Sequence, residues 1–562
     1  MSAITTSYEL HKTLESPIAF VRREWRAIAF FGGAFVVIML IGMFVAGPAY
    51  FYPRLGTDPL RYYLKGLEFA HAGNTAARTA VNRPPFGYVA MPGVLRSPFM
   101  LAFKDFDDQL RAIQLSNIFL VAAAATMYAY VLSWVVPKNR HWLAIGFTFG
   151  FFLLSPEWVA NVFLPLADAP YAFFATACMI LLTMILTSDR PVPRQWWAVA
   201  IAVFFFGLAF LNRFTAPLIL LYAGLLAAGR RRDHSHSGSI LMGAAVVILC
   251  VVALLVALNW HTMRARYLID VLSYWRQVEK SGIVTNLFAL ALPSQIIPDF
   301  RLGYAEYPVN DRYDVQFGNA PRTLFVAAIA LVVSAMIFFG MWRSRRRFAP
   351  EIAYVLAPLP LLAVTVQSTN RYLMSYQPFL WIFFLIGASA VLKPIRSRVT
   401  VSRRTSILAI ALVAVVSVGL VILRSSRVVG TVGSSRGAVS IGNVRNYIDD
   451  VSVTFTDLRH FLEKLPKDRT RLVALRGTEG RWKAISGFDY YSPDSAFAGV
   501  VSKYDTYLLA ECGTFEGCDE FDHWDGRFRM HIATFGAFTF EPVFTKVTEH
   551  ARVRVYRVHN RQ

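Results

Sequence analysis

The sequence has little charge for its length. Only 17% of its 562 residues are Asp, Glu, Lys or Arg, whereas soluble domains carry roughly 25%. Residues 27–47, 240–259 and 324–342 contain none of these four amino acids. Each stretch approaches the roughly 20 apolar residues that cross a bilayer as a helix. The composition therefore excludes an ordinary soluble domain and predicts a polytopic α-helical membrane protein.

Acidic residues are scarcer than basic ones, which gives a formal net charge of +21. The basic residues fall in short clusters between apolar stretches and do not form one continuous surface, so the charge predicts topology and not nucleic-acid binding. The clusters are Arg22, Arg23 and Arg26; Lys138 and Arg140; Arg190 and Arg194; Arg230 to Arg232; Arg343 and Arg345 to Arg347; and Lys393, Arg396, Arg398, Arg403 and Arg404.

Placing every basic cluster in the cytoplasm requires about eleven membrane crossings, with the N-terminus inside. The predicted spans are 27–48, 112–135, 142–157, 169–187, 196–211, 214–228, 239–259, 322–342, 350–367, 373–391 and 406–423. The fifth and sixth form a hairpin whose corner, at Asn212 and Arg213, lies at the outer surface. The first stretch is too long for a signal peptide and is expected to stay as an anchor.

This topology divides the chain into a cytoplasmic segment 1–26, a membrane domain 27–423 and an extracytoplasmic region 424–562. The membrane domain has two large outer loops, 49–111 and 260–321. Strand-like patterns at 471–475, 507–510 and 553–558 and a helical pattern at 457–465 predict a small C-terminal α/β domain.

Cysteine is also rare, with four residues in the chain. Cys178 and Cys250 lie in apolar stretches, whereas Cys512 and Cys518 are close together in the C-terminal region. An oxidising compartment would let the latter two bridge. Two free thiols are the alternative.

Familiar soluble-enzyme motifs are absent. No P-loop, dinucleotide-binding fingerprint or serine nucleophile elbow stands at a credible position. His234 and His236 lie in a basic cytoplasmic loop without partners, so no metal site is expected there.

The predicted outer segments hold most of the acids and tyrosines, together with a few single arginines. The first outer loop carries Asp58 and Tyr62 near its start, and then Arg83 before Pro84-Pro85, followed by Tyr88. Asp168 stands before Ala169-Pro170 at the start of the fourth span. Counting crossings places both carboxylates at the same membrane face. A later segment reads Asn370-Arg371-Tyr372-Leu373-Met374-Ser375-Tyr376-Gln377-Pro378.

In these motifs and their order, roughly the first 390 residues resemble membrane glycosyltransferases of the GT-C fold. That superfamily includes protein mannosyltransferases and the aminoarabinose transferases of lipid A. The resemblance implies an inner-membrane enzyme of the bacterial cell envelope. It would move a sugar, with inversion, from a polyprenyl-phosphate donor to a lipid, glycan or protein acceptor outside the cytoplasm.

The resemblance also implies residue roles. Asp58 would be the base that takes the proton of the acceptor hydroxyl, and Asp168 would orient the acceptor or the base. Arg83, Arg213 and Arg371 would bind the donor phosphate, and Tyr62, Tyr88 and Tyr372 would bind substrate. No cofactor is required, although a divalent metal beside the two acids is possible. The chain departs from its relatives in having one acid where many have adjacent acids, and Arg83 where aminoarabinose transferases have Lys.

Structural alternatives remain for the two acids and the three arginines. Asp58 and Asp168 each precede a proline closely and suit the cap of a helix. Arg83, Arg213 and Arg371 suit interfacial anchors that bind ordinary membrane lipids.

Two other classes of function and one other kind of transferase remain open. A transporter or flippase would place ionisable residues at membrane mid-depth and often shows paired repeats. A scaffold would use the C-terminal domain to bind a partner. Within the transferases, an O-antigen-ligase-like enzyme would use a diphosphate-linked glycan.

Overall fold

The computed structural model describes part of the chain. The described residues are 32–33, 35–37, 39–44, 47–54, 57–70, 95–136, 141–154, 156–187, 196–213, 216–230, 320–358, 374–398, 441–474, 489–491, 501, 503–513 and 538–560.

Helices account for most of the described residues before 470. A 3₁₀ helix covers Ala49–Arg54. The α-helices are α1 Phe35–Phe44, α2 Thr57–Ala70, α3 Ser97–Ala102, α4 Phe106–Ser133, α5 His141–Leu154, α6 Pro156–Phe163, α7 Asp168–Thr187, α8 Trp196–Asn212, α9 Leu218–Arg230, α10 Ala320–Ser344, α11 Ala349–Leu356, α12 Gln377–Arg398 and α13 Ile441–Glu463.

Three described stretches are long and apolar enough to cross a membrane: Phe106–Ser133, Asp168–Leu186 and Met374–Val391. Shorter apolar helices include α1, α8, α9 and the second half of α10. The predicted spans 112–135, 169–187, 196–211 and 322–342 correspond to α4, α7, α8 and α10. Spans 239–259 and 406–423 lie outside the described residues, as does loop 260–321 except its last two residues. The total of about eleven crossings therefore stays a prediction.

Two helix boundaries differ from the boundaries of the predicted spans. Helix α4 begins at Phe106, six residues before the predicted span, because the Asp105 side chain caps it by accepting a hydrogen bond from the backbone N–H of Asp107 at 2.9 Å. The predicted span 142–157 is not one helix: α5 ends at Leu154, and α6 begins at Pro156. Proline favours the first position of a helix, where its missing N–H costs no hydrogen bond.

Helices α8 and α9 form the predicted hairpin. At their corner Arg213 forms an ion pair with Asp168, the first residue of α7. Further along α9, the Tyr222 hydroxyl lies 2.6 Å from the hydroxyl of Thr183, which is about 22 Å along α7 from Asp168. Helix α9 therefore runs in the same direction as α7. Since α8 ends at the corner beside the start of α7, it runs in the opposite direction.

The C-terminal residues form a mixed five-stranded sheet covered by α13. The strands are β1 Thr470–Ala474, β2 Asp489–Tyr491, β3 Asp505–Gly513, β4 Phe538–Val547 and β5 Ala551–Asn560, in the order β2-β1-β3-β5-β4. Strand β1 is parallel to β2 and β3, whereas β5 is antiparallel to β3 and β4.

Helix α13 joins this sheet to the helical part of the chain. Its buried Phe455, Leu458 and Leu462 belong to the same hydrophobic core as Leu509 of β3 and Tyr52 of the 3₁₀ helix. The C-terminal α/β unit therefore packs against the 3₁₀ helix Ala49–Arg54, where the predicted outer loop 49–111 begins.

Candidate functional site at the upper end of the helices

Four parts of the chain meet at one end of the helices, here called the upper end. They are α2, the start of α4, the segment joining α6 to α7, and the corner between α8 and α9. The Tyr63 hydroxyl of α2 donates to Gln109 of α4. One turn further, the Gln114 side chain donates to the carbonyl oxygen of Phe163 at 3.3 Å. The structure therefore brings together elements that the sequence predicted to share one membrane face.

The Asp168 carboxylate is the buried acid of this end. It is only 2% exposed and forms an ion pair with the guanidinium of Arg213, which is 15% exposed. The Arg213 guanidinium also lies 6.0 Å from the centre of the Tyr171 ring. A carboxylate removed from water needs such a partner, because burial of an unpaired charge is costly. The structure thus joins two of the predicted site residues.

The backbone around Asp168 is held by side chains of neighbouring helices. The Asn161 amide oxygen accepts a hydrogen bond from the backbone N–H of Ala169 at 3.0 Å. The Tyr171 N–H donates to the carbonyl oxygen of Ala167 at 3.1 Å, which closes the first turn of α7. Hydrogen bonds therefore fix the backbone of the first turn of α7, where Asp168 lies.

The other predicted site residues are described only in part. Asp58 is the second residue of α2, and its side chain lies outside the described residues, whereas Tyr62 is half-buried on the same helix. Arg83, Tyr88, Arg371 and Tyr372 lie outside the described residues. Their predicted roles stay predictions.

Sequence reasoning missed Arg96, which is 1% exposed. Its Nη2 donates to Asn117 Oδ1 at 2.9 Å and to the carbonyl oxygen of Leu166 at 2.8 Å. Burial lowers the pKa of Arg96 to about 10, while nearby Tyr62 acts in the opposite direction. The group therefore remains charged at neutral pH. In the sequence, Arg96 is a single Arg before Ser97-Pro98, and no motif there indicates that its side chain is buried at this site.

Sequence reasoning also missed the Arg459 cluster, in which Arg459 of α13 contacts Tyr52, Asp105, Asp107 and Glu463. The guanidinium donates to Asp107 Oδ2 at 2.5 Å, Asp105 Oδ1 at 2.7 Å and Glu463 Oε1 at 2.8 Å. It also donates to the Tyr52 hydroxyl at 3.1 Å. The pKa of Tyr52 is raised, chiefly by burial and then by Asp107. This cluster attaches the C-terminal unit to the upper end.

Within the described residues, no three His, Cys, Asp or Glu side chains come together as possible metal ligands. What the described site offers is a buried carboxylate next to a guanidinium. Such a pair can orient a hydroxyl and attract an anionic group.

No protein-family model matches the sequence, and no curated protein does. Among solved structures, the chain is similar to ArnT from Cupriavidus metallidurans bound to undecaprenyl phosphate, with 13% identity and a TM-score of 0.46 over 94% of this chain and 98% of that one. It is also similar to the oligosaccharyltransferase AglB from Archaeoglobus fulgidus in complex with an inhibitory peptide and a dolichol-phosphate. There the identity is 13% and the TM-score 0.47, over 96% of this chain and 75% of that one.

Proposed function

We propose that this protein is a membrane glycosyltransferase that moves a sugar from a polyprenyl-phosphate donor to an acceptor outside the cytoplasm. The observation that carries the proposal is the buried Asp168–Arg213 ion pair, which lies at the same end of the helices as α2. Helix α2 carries Asp58, the proposed base.

In the proposed reaction, Asp58 takes the proton of an acceptor hydroxyl as its oxygen bonds to the anomeric carbon. The bond from that carbon to the phosphate oxygen breaks, and the lipid phosphate leaves with the bonding electrons. Because this leaving group is stable as an anion, it needs cations more than a proton. One displacement of this kind inverts the configuration of the sugar.

Arg213 supplies one of these cations, together with Arg83 and Arg371. A guanidinium has five N–H donors, so one that pairs with a carboxylate can also bind a phosphate. Asp168 then holds Arg213 at the upper end and orients the acceptor or the base. The proposed partners are the lipid-linked donor and a lipid, glycan or protein acceptor, and the proposed reaction requires no cofactor.

The positions of buried charges favour an enzyme over a transporter. Among the described residues, the buried carboxylates within helices are Asp168 and Glu351, and each lies in the first turn of its helix. A transport pathway typically places ionisable groups at mid-depth in the membrane.

Release of the lipid phosphate tests the proposal. Purified protein is incubated with undecaprenyl-phosphate mannose or undecaprenyl-phosphate aminoarabinose and a cell-envelope extract as the source of acceptor. We expect Asp58→Asn to lower the release of undecaprenyl phosphate about 100-fold or more, because the variant lacks the base. Asp108→Asn is the matched control: Asp108 is exposed in the first turn of α4, and its variant should keep wild-type release. Unchanged release by Asp58→Asn would remove Asp58 from the mechanism.

A further inference from the structure

Arg96 lies between two elements of the proposed site. Its guanidinium binds the carbonyl oxygen of Leu166, two residues before Asp168. Arg96 also directly precedes α3, which packs against α2, and it interacts electrostatically with Tyr62 of that helix. Tyr62 is one helical turn after Asp58 along α2. One buried cation thus binds the segment before one proposed site residue and stands at the start of a helix that packs against the helix carrying the other.

Asn117 binds Arg96 and also hydrogen-bonds earlier residues of the same segment. While its Oδ1 accepts from Arg96, its Nδ2 donates to the carbonyl oxygen of Leu164 at 3.0 Å and lies 3.4 Å from that of Val162. Both side chains are 1% exposed. Arg96 and Asn117 therefore donate hydrogen bonds to the backbone carbonyl oxygens of residues 162, 164 and 166.

These contacts replace hydrogen bonds that regular structure would supply. Residues 164–167 are neither helix nor strand and include Pro165, which has no N–H to donate. Buried carbonyl groups of such a segment need partners from elsewhere in the protein. Side chains of α4 and the residue before α3 provide them, so the conformation of the segment depends on Arg96 and Asn117.

We propose that Arg96 is a positioning residue of the transferase site: by holding residues 164–167 it fixes Asp168, and with it Arg213, relative to α2. This inference rests on the proposed function for its kinetic consequence. Its structural consequence is independent of any activity. Arg96 is not proposed to touch the substrate.

The structural consequence is tested by hydrogen–deuterium exchange of the full-length protein. Arg96→Met keeps the length of the side chain and removes its donors. We expect amide exchange to rise about tenfold or more in peptides covering 162–172, because the Leu166 carbonyl oxygen loses its partner, Asn117 loses the guanidinium that holds it, and the segment opens more often. Exchange in 176–187, the rest of α7, should stay unchanged.

Thr183→Val is the matched control at the other end of α7. It removes a buried hydroxyl that bonds Tyr222 and the Met179 carbonyl oxygen, so any rise in exchange should be confined to 176–187. If Arg96→Met leaves exchange in 162–172 at the wild-type level, the proposal is wrong. If Arg96→Met does not fold, Arg96→Lys carries the same test with a smaller expected rise, because an ammonium group still donates several hydrogen bonds.

The kinetic consequence is tested by a double-mutant cycle with Asp168→Asn. We expect Arg96→Met to lower kcat/KM for lipid-phosphate release about 10- to 100-fold in the wild-type background, and less than about 2-fold when Asp168 is already Asn. Arg96→Lys should recover part of the loss. An equal loss in both backgrounds would overturn action through Asp168. Absence of turnover by intact wild-type protein would refute the proposed function alone, since the exchange experiment decides the structural role separately.

Discussion

The burial of Asp168 makes its partner essential to stability as well as to the proposed chemistry. With 2% of its side chain exposed, the carboxylate has little water to replace a lost guanidinium. Removing one member of a buried ion pair leaves the other charge uncompensated, which costs about 3–5 kcal/mol. The pair should therefore be strongly coupled.

We predict that Arg213→Gln lowers the free energy of unfolding by about 3–5 kcal/mol. Asp168→Asn should lower it by less. The double variant should be more stable than Arg213→Gln alone, because Asn and Gln are neutral and can hydrogen-bond each other. Unfolding of the four proteins in the same detergent gives the coupling energy. Additive losses would contradict a direct pair.

For individual residues, the sequence predicted the membrane face better than the contact partners. Counting membrane crossings places Asp168 and Arg213 at one membrane face, and the structure pairs them. Arg96 gave no such signal, because its burial depends on Asn117 and Leu166, which are distant in sequence. Contacts of that kind follow from packing and not from local pattern.

Helices α10 and α12 approach each other closely at a pair of glycines. A Cβ atom added to Gly340 would lie 1.9 Å from the carbonyl oxygen of Phe383, and one added to Gly387 would lie 1.9 Å from that of Met336. Small residues allow this approach between membrane helices.

We predict that Gly340→Ala separates α10 from α12 and lowers the free energy of unfolding by about 1–3 kcal/mol, as overpacking typically does. Gly207→Ala in α8 is the control, since a Cβ atom there meets nothing within 4 Å. Thermal unfolding of both variants in detergent measures the difference. Equal midpoints would show that the two backbones are not in contact.

Elements were predictable where the pattern was strong and local. Apolar stretches gave α4, α7, α8 and α10, and alternation gave β1, β3 and β5. Strand β4 was missed because it contains Pro542 and a register shift between Pro542 and Phe544, features that argue against a strand in sequence but are tolerated at a sheet edge. Helix α13 extends 16 residues before the predicted start at 457.

For the whole molecule, the Arg459 cluster is the polar attachment of the C-terminal unit. Partial burial alone would raise the pKa of Asp105, but the hydrogen bonds from Arg459 and from the backbone N–H of Asp107 outweigh it, so the pKa is lowered. A carboxyl group with a lowered folded-state pKa adds stability above its unfolded-state pKa of about 4 and loses it as the pH falls further.

We therefore predict a pH-dependent effect of Arg459→Gln. The difference in unfolding midpoint between wild type and this variant should be constant from about pH 7 to 5 and should shrink below about pH 4. Arg469→Gln is the control, because Arg469 and its partner Asp468 are 80% and 78% exposed. A difference independent of pH would mean that Asp105 is not held by Arg459.

The disulfide state reports on the compartment of the C-terminal unit. Cys512 is disulfide-bonded, whereas Cys178 is a buried free thiol. The sequence predicts Cys518 as the partner of Cys512, in keeping with an oxidising compartment.

We predict that the unfolded, unreduced wild-type protein reacts with two equivalents of a thiol reagent, since two of the four cysteines are paired. Cys518→Ser should react with three equivalents, as measured by intact mass. One equivalent in this variant would identify Cys250 as the partner instead.

The chemical fate of the donor tests the central claim most directly. Wild-type protein in liposomes is incubated with an undecaprenyl-phosphate sugar, radiolabelled in its sugar, and with a cell-envelope extract. The labelled acceptor and the released undecaprenyl phosphate are then separated by chromatography. We predict that the label moves to the acceptor while an equal amount of undecaprenyl phosphate is released. Movement of the intact lipid-linked sugar across the bilayer, without cleavage, would contradict the account.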